Sequence, residues 1–174
     1  MKHLTLPLTQ EDISDLHAGD GVLLSGTIYT ARDCAHRRLC ELLDAGKPLP
    51  IDLKRTYIYY AGPCPTPEGK ACGSCGPTTA ARMNSFAPRL LDLGLLGMIG
   101  KGGMSRETRD ALVRNKKVYF AAIGGAGALY GNAVKESTLV AFPDLLSEAI
   151  YQMQVENFPV VVVHDSYGAT AYDE

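Results

Sequence analysis

The sequence predicts an α/β domain with a mixed sheet flanked by helices. Three observations carry this. β-prone runs and stretches of helical period alternate, but too irregularly for a strict βαβ series. Strand-like runs come in pairs near both ends of the chain. A hydrophobic content of 46% over 174 residues is enough for a real core, and residues 1–174 read as one domain with no linker, repeat or low-complexity segment.

The elements follow in order. Leu4-Thr5-Leu6 reads as a short strand. Thr9-Gln10-Glu11-Asp12 has the form of a capping box opening a short helix, with Gly19-Asp20-Gly21 as the turn behind it. Residues 22–29 are strand-like, rich in β-branched and aromatic side chains. Thr30-Ala31-Arg32-Asp33 then looks like a second cap, with Thr30 as N-cap of a helix that runs through Ala35, Leu39, Leu42 and Leu43 and stops at Gly46. Residues 56–61 form a strong strand. Residues 62–77 are a long loop with four prolines and four glycines, a length that is uncommon in compact domains and often functional. A helix follows Thr79, with Pro88 breaking it or starting a second piece. Residues 95–99 are a buried strand, Ser105 caps a helix over residues 106–115, and residues 118–123 are a further buried strand. The turn Gly124-Gly125-Ala126-Gly127 opens another helix. Residues 139–142 form a short strand and 144–149 a short helix. Residues 152–156 are extended, and the run at 158–165 is the most β-prone in the chain, its continuity predicting burial on both faces.

A formal net charge of -2 argues against nucleic-acid or polybasic membrane binding. No apolar run is long enough to span a bilayer. The stretch from Met1 to Pro7 lacks the apolar core of a secretory signal, so a cytoplasmic location is expected. The five cysteines cannot all pair within the chain. Cys72-Gly73-Ser74-Cys75 is a lone C-x-x-C, whereas a structural zinc site wants four ligands, and the four histidines are scattered. No metal site is expected within this chain, and the cysteines are expected to be reduced thiols.

Two loop–helix junctions carry an arginine where a helix dipole disfavours a cation. One is Thr30-Ala31-Arg32. The other is Gly76-Pro77-Thr78-Thr79-Ala80-Ala81-Arg82, where Thr78 or Thr79 is the expected cap. A convergent anion site would explain both, since helix starts and arginine forks suit carboxylates and phosphates. Lys101, set between glycines at a strand end, is a third cation that a ligand could reach. Arg106, beside Glu107 and Asp110, reads as a surface cation. The glycine turn at 124–127 does not make G-x-G-x-x-G, so close packing or a substrate-facing turn suits it better than a nucleotide.

Several segments together resemble one family: the β subunit, or C-terminal domain, of the class I iron–sulfur hydro-lyases, class I fumarate hydratase and L(+)-tartrate dehydratase. They are Leu24-Ser25-Gly26-Thr27-Ile28-Tyr29-Thr30-Ala31-Arg32-Asp33, His36-Arg37-Arg38-Leu39, Tyr59-Tyr60-Ala61-Gly62-Pro63, Gly76-Pro77-Thr78-Thr79, Arg82-Met83, Met98-Ile99-Gly100-Lys101-Gly102, and the run from Tyr119 to Ala128. The tyrosine-bearing strands and the glycine–alanine run look more like fumarase. The resemblance implies a swivelling β/β/α-type fold and a chain that is half of an enzyme. A cluster-bearing α subunit, in a heterotetramer or larger assembly, would hold a [4Fe–4S] cluster, and this chain would close over a small dicarboxylate. It implies Arg32, Thr78, Thr79, Arg82 and Lys101 as substrate-binding residues, with Thr78 and Lys101 catalytic.

Arginines suit bidentate recognition of fumarate's two carboxylates. Lys101 and Arg82 would stabilise the charge that builds on a carboxylate as water is added or lost. Thr78 is a candidate base, with an acidic residue of the α subunit as the other. Cys72 and Cys75 depart from the family pattern, as does Asn84, where the family often has an acid. L(+)-tartrate dehydratase is the nearest alternative. A non-catalytic module that binds an anion or senses redox state through Cys72 and Cys75 is the alternative from another class.

Overall fold

The computed structural model describes residues 1–123 and 126–172. Seven strands, β1 (Lys2–Thr5), β2 (Gly21–Thr30), β3 (Tyr57–Tyr59), β4 (Gly97–Gly100), β5 (Val118–Ala121), β6 (Val134–Ala141) and β7 (Ile150–His164), form one mixed sheet among the described residues. Five helices accompany it: α1 (Gln10–Ser14), α2 (Asp33–Asp44), α3 (Ala87–Asp92), α4 (Arg106–Asn115) and α5 (Gly127–Ala133). Short 3-10 turns lie at Leu53–Arg55, Ala80–Met83 and Pro143–Glu148.

The strand order is β1-β2-β3-β4-β5-β7-β6, with an added β2–β7 pairing. That extra pairing closes β2, β3, β4, β5 and β7 into a barrel-like ring, a closure the sequence reading did not include. β1 to β5 run parallel, while β7 is antiparallel to β2, β5 and β6. Length makes this possible. β7 has 15 residues, so its first half takes β6 and its second half β5 along one edge, while β2 lies along the other. The extended segments expected at 152–156 and 158–165 are thus one strand.

The short strands alternate with period two. Tyr57, Tyr59, Ile99, Val118 and Phe120 join a core cluster with Leu6, Leu16, Tyr130 and Phe158. Ile58, Tyr60, Met98, Tyr119 and Ala121 join a second with Leu39, Leu91 and Leu112, from the helices on the other face. Each large side chain removed from water in this way contributes about 1.5–3 kcal/mol. Burial on both faces holds for β3, β4 and β5. It does not hold throughout β7, where Val161 is exposed.

Local signals hold where nothing competes with them. Thr9 caps α1 with both arms of its box made, and Ser105 caps α4 through the Thr108 N–H. The helix after Thr79 does split, with Pro88 in the first turn of α3. Two expected caps fail. Thr30 is the last residue of β2, fully buried and paired with Tyr59. Its hydroxyl donates to Ala149 O at 3.4 Å and accepts from Tyr151 N at 3.1 Å. Strand pairing outweighs the cap, α2 starts later, and Arg32 occupies the N-cap position without a side-chain cap bond. Thr79 stands at the N-cap of a four-residue 3-10 turn and makes no side-chain cap bond, because residues 78–80 are drawn into backbone pairing with Lys101. The segment expected as a helix at 144–149 is a 3-10 turn broken at Leu146. Gly124 and Gly125, at the head of the glycine turn, lie outside the described residues.

Gly100 ends β4 under close packing: a Cβ there would meet a Tyr60 ring carbon at 2.7 Å and the Tyr119 hydroxyl at 3.0 Å. Its glycine serves close packing against two buried tyrosines. Gly100→Ala should lower unfolding stability by about 1–3 kcal/mol, read as a fall in the urea midpoint at unchanged m-value. An unchanged midpoint would show that the tyrosines give way freely.

Candidate functional site

Parallel pairing sends the carboxyl ends of β2, β3, β4 and β5 to one rim of the sheet. Crevices at the carboxyl ends of parallel strands are the usual ligand sites of α/β proteins. The chain leaves that rim through Ala31-Arg32 after β2, the loop at 60–79 after β3, and Lys101-Gly102 after β4. Four of the five sequence-predicted site residues, Arg32, Thr78, Thr79 and Lys101, lie on these connections, and Arg82 follows in the 3-10 turn at Ala80–Met83.

Backbone bonds join the ends of β3 and β4 through the returning segment at 78–80. Thr78 N donates to Tyr60 O at 2.6 Å, Lys101 N donates to Thr78 O at 3.2 Å, and Ala80 N donates to Lys101 O at 2.8 Å. The long loop therefore returns to the sheet and lays residues 78–80 beside Lys101, with Thr79 and Lys101 in a parallel bridge. Thr78 is half-buried, and Thr79 and Lys101 are exposed. The segment after Lys101 is held from behind by Tyr119, whose hydroxyl donates to Gly102 O at 2.6 Å, and by His164, whose Nε2 accepts from Met104 N at 3.0 Å. Gly102 has φ +79 with nothing near its α-carbon, so the backbone beside Lys101 turns in open space.

The two arginines are held differently. Arg82 donates to Asp33 Oδ2 from Nε at 2.9 Å and from Nη2 at 2.8 Å. The anion expected beside Arg82 is therefore, in part, a carboxylate of this chain. Arg82 also sits late in a 3-10 turn of four residues, too short to carry the dipole argument made from the sequence. Its side chain is 53% exposed, and an ion pair of that exposure contributes at most about 1 kcal/mol. Arg32 is different. Its Nε is buried and has no hydrogen-bond partner, and its nearest carboxylate, Glu148, lies at 3.9 Å, too far for a hydrogen bond. Gly62 makes room for it, since a Cβ at that glycine would crowd Ser147 O and Arg32 Cδ. A buried donor left without an acceptor costs about 1–3 kcal/mol, and an incoming anion would remove that cost.

Sequence reasoning missed three contributors. Asp33 and Glu148 orient the arginines. His36 sits one turn along α2, and its Nδ1 hydrogen-bonds Arg32 O at 2.8 Å. The i, i+4 spacing from Arg32 to His36 on a helix was the available signal. Asn84 is not a failed partner of Arg82: its Oδ1 accepts from Ser105 N at 2.9 Å and so ties the 3-10 turn to α4. Among the described residues no group of three or more His, Cys, Asp or Glu is placed to hold a metal ion.

Burial holds His36 neutral, lowering its pKa from 6.5 to about 4, with the bond to Arg32 O opposing the shift only in part. The unfolded chain takes up this proton near pH 6.5 and the folded chain resists it until about 4. The stabilisation is therefore full above pH 6.5 and is lost as pH falls toward 4. Unfolding free energy should drop by about 2–3 kcal/mol between neutral pH and about pH 4.5 on account of this group. That part of the drop should vanish in His36→Asn, measured by urea denaturation; an equally steep profile in the variant would count against this assignment.

Residues 2–174 match the family described as Fumarase C-terminus. Fumarate hydratase 2 of Leishmania major is 40% identical over 167 residues, which is 95% of this chain and 29% of that protein. A Methanocaldococcus jannaschii protein, provisionally named as L(+)-tartrate dehydratase subunit beta, is 41% identical over 180 residues, covering 100% of this chain and 92% of its own length. L(+)-tartrate dehydratase subunit beta of Escherichia coli is 35% identical over 172 residues, covering 96% of this chain and 84% of its own. The chain thus spans under a third of the fumarate hydratase but nearly the whole of the separate β subunits. With the family match running almost end to end, the chain belongs to the Fumarase C-terminus family of the class I hydro-lyases.

Proposed function

We propose that this chain is the β subunit of an iron–sulfur hydro-lyase that hydrates fumarate reversibly to L-malate, its site completed by a cluster-bearing α subunit. The observation that carries this is the rim itself. Three cations on three strand-end connections gather there, and Arg32 holds a buried Nε–H with no acceptor. The family membership turns that anion into a dicarboxylate.

In this reading Arg32 and Arg82 bind the carboxylates, Arg82 as a fork already aimed by Asp33. Lys101 stabilises the carboxylate whose charge grows as water is added or lost. Thr78 and Thr79 line the path between them, with Thr78 beside the carbon that exchanges its proton. A threonine hydroxyl is a weak base by itself, so an acidic group of the partner takes the proton. The cluster, held by the α subunit, supplies Lewis-acid chemistry toward the hydroxyl. The open, exposed setting of Lys101 and Thr79 suits a half-site that a partner closes. No helix among the described residues is long and apolar enough to cross a membrane, and the five cysteines are free thiols. We assign a cytoplasmic setting, where free thiols stay reduced. We also assign residues 1–174 to one unit of the swivelling β/β/α type, supported by the closed sheet with helices on its face.

L(+)-tartrate is the second reading, favoured by the near full-length match to subunits that carry that name. The test is co-expression with the α subunit under anaerobic conditions, following fumarate loss by absorbance and L(+)-tartrate in parallel. Fumarate should turn over. Arg32→Ala and Lys101→Ala should each lower kcat/KM by about ten- to a hundredfold, the value of one charge-assisted hydrogen bond. Turnover of L(+)-tartrate alone would move the assignment to tartrate. No loss of activity in either variant would remove the rim from the site.

A further inference from the structure

The loop at 62–77 carries three of the five cysteines, and none of the three belongs to the rim. All are free thiols; Cys64 is exposed, while Cys72 and Cys75 are buried. Glycines press this loop onto α5. A Cβ on Gly73 would overlap the carbonyl of Cys64, one on Gly127 would overlap Ser74 Oγ, and one on Gly131 would overlap the carbonyl of Gly73. Cys75 is pinned in place: its N–H donates to Gly127 O at 3.0 Å and its carbonyl accepts from the Tyr59 hydroxyl at 2.6 Å. Cys72 and Cys75 belong to one buried cluster, and their proximity draws Cys72 toward thiolate and holds Cys75 protonated. Cys72 also lines, with Pro63, Cys64, Thr66 and Ser147, a solvent-open groove of about 440 Å³.

We propose that Cys72 and Cys75 form a modification site for small hydroperoxides, which convert the pair to an intramolecular disulfide. The groove reaches Cys72, and Cys75 lies in the same buried cluster three residues further on. The Cys72 thiolate attacks one peroxide oxygen, an S–O bond forms and the O–O bond breaks. The departing hydroxide takes a proton from solvent and leaves as water, and Cys72 becomes a sulfenic acid, oxidised by two electrons. Cys75 gives up its proton and its sulfur displaces the hydroxyl: the S–S bond forms, the S–O bond breaks, and a second water leaves. Two thiols and one hydrogen peroxide thus yield one disulfide and two waters. The ring closed by a C-x-x-C is short, so it adds little chain-entropy stabilisation, and thiols reverse it. The site lies three residues before Thr78, yet it stands independently of the hydro-lyase reading.

The test is peptide mapping of the full chain after hydrogen peroxide treatment, with remaining thiols alkylated under denaturing conditions. The peptide holding Cys72 and Cys75 should appear two hydrogens lighter and unalkylated. It should form at least about tenfold faster than Cys34 or Cys40 is modified, and return to the dithiol with dithiothreitol. In Cys75→Ser, Cys72 should accumulate as a sulfenic acid captured by dimedone. Full alkylation of Cys72 and Cys75 while other cysteines oxidise would overturn the proposal, as would a disulfide that joins Cys64. The wild-type map decides the matter even if the variant fails to fold.

Discussion

The pairing of β2 with β7 is what the rest of the molecule rests on. Without it β2 and β7 would each leave a long open edge, with unpaired backbone groups along both. With it, the eight registered pairs from Gly21↔Val161 to Tyr29↔Gln152 close the ring. Closure fixes where everything else can go. The short parallel strands β3, β4 and β5 are locked between two long ones, so both their faces are buried and their side chains divide by period two between two cores. Their carboxyl ends then open on one rim, and only loops can occupy it.

At that rim the chain spends little of its own charge on itself. The half-exposed Arg82–Asp33 pair contributes little to stability, but it holds the guanidinium in one orientation. The bidentate Arg38–Asp144 pair and the Cys34–Glu148 contact fasten α2 to the 143–148 turn, and so press Glu148 and Ser147 against the flank of Arg32. His36 grips the Arg32 carbonyl from one turn further on. The Nε of Arg32 is removed from water and left unbonded. Such an arrangement is poor for folding and good for binding, because the desolvation has been met before a ligand arrives. Thr79 and Lys101, by contrast, are exposed.

Buried polar groups elsewhere are placed to serve geometry. Tyr119 and His164 hold the backbone beyond Lys101, and Tyr59 holds Cys75. The 62–77 loop is long for a compact fold, but it is tied down at both ends: by the Cys64 N–H to Ser74 O at 2.8 Å, and by the return of Thr78 to the sheet. Its prolines and glycines let it descend onto α5 and climb back.

Much of this was legible in the residues. Thr9-Gln10-Glu11-Asp12 and Ser105 cap their helices as written, because both lie in exposed turns where a side-chain hydroxyl has no better partner. The β-prone runs became strands, since alternation and β-branching report local preference directly. The cations at strand ends were visible as misfits with helix starts, although that reasoning fitted Arg82 poorly. What the sequence alone could not decide was every choice settled by a distant partner. Thr30 reads as a cap and is a strand residue because Tyr59 pairs with it. Thr79 reads as the start of a helix and instead lies along Lys101. The segments at 152–156 and 158–165 read as two strands and are one, because β2 runs beside both. The physical reason is the same in each case: a local hydroxyl bond contributes about 1 kcal/mol, while a ladder between residues far apart in the chain is worth several such bonds at once. The sequence by itself determined the elements and the residue types at the rim; only the closed sheet decided which of them face one another.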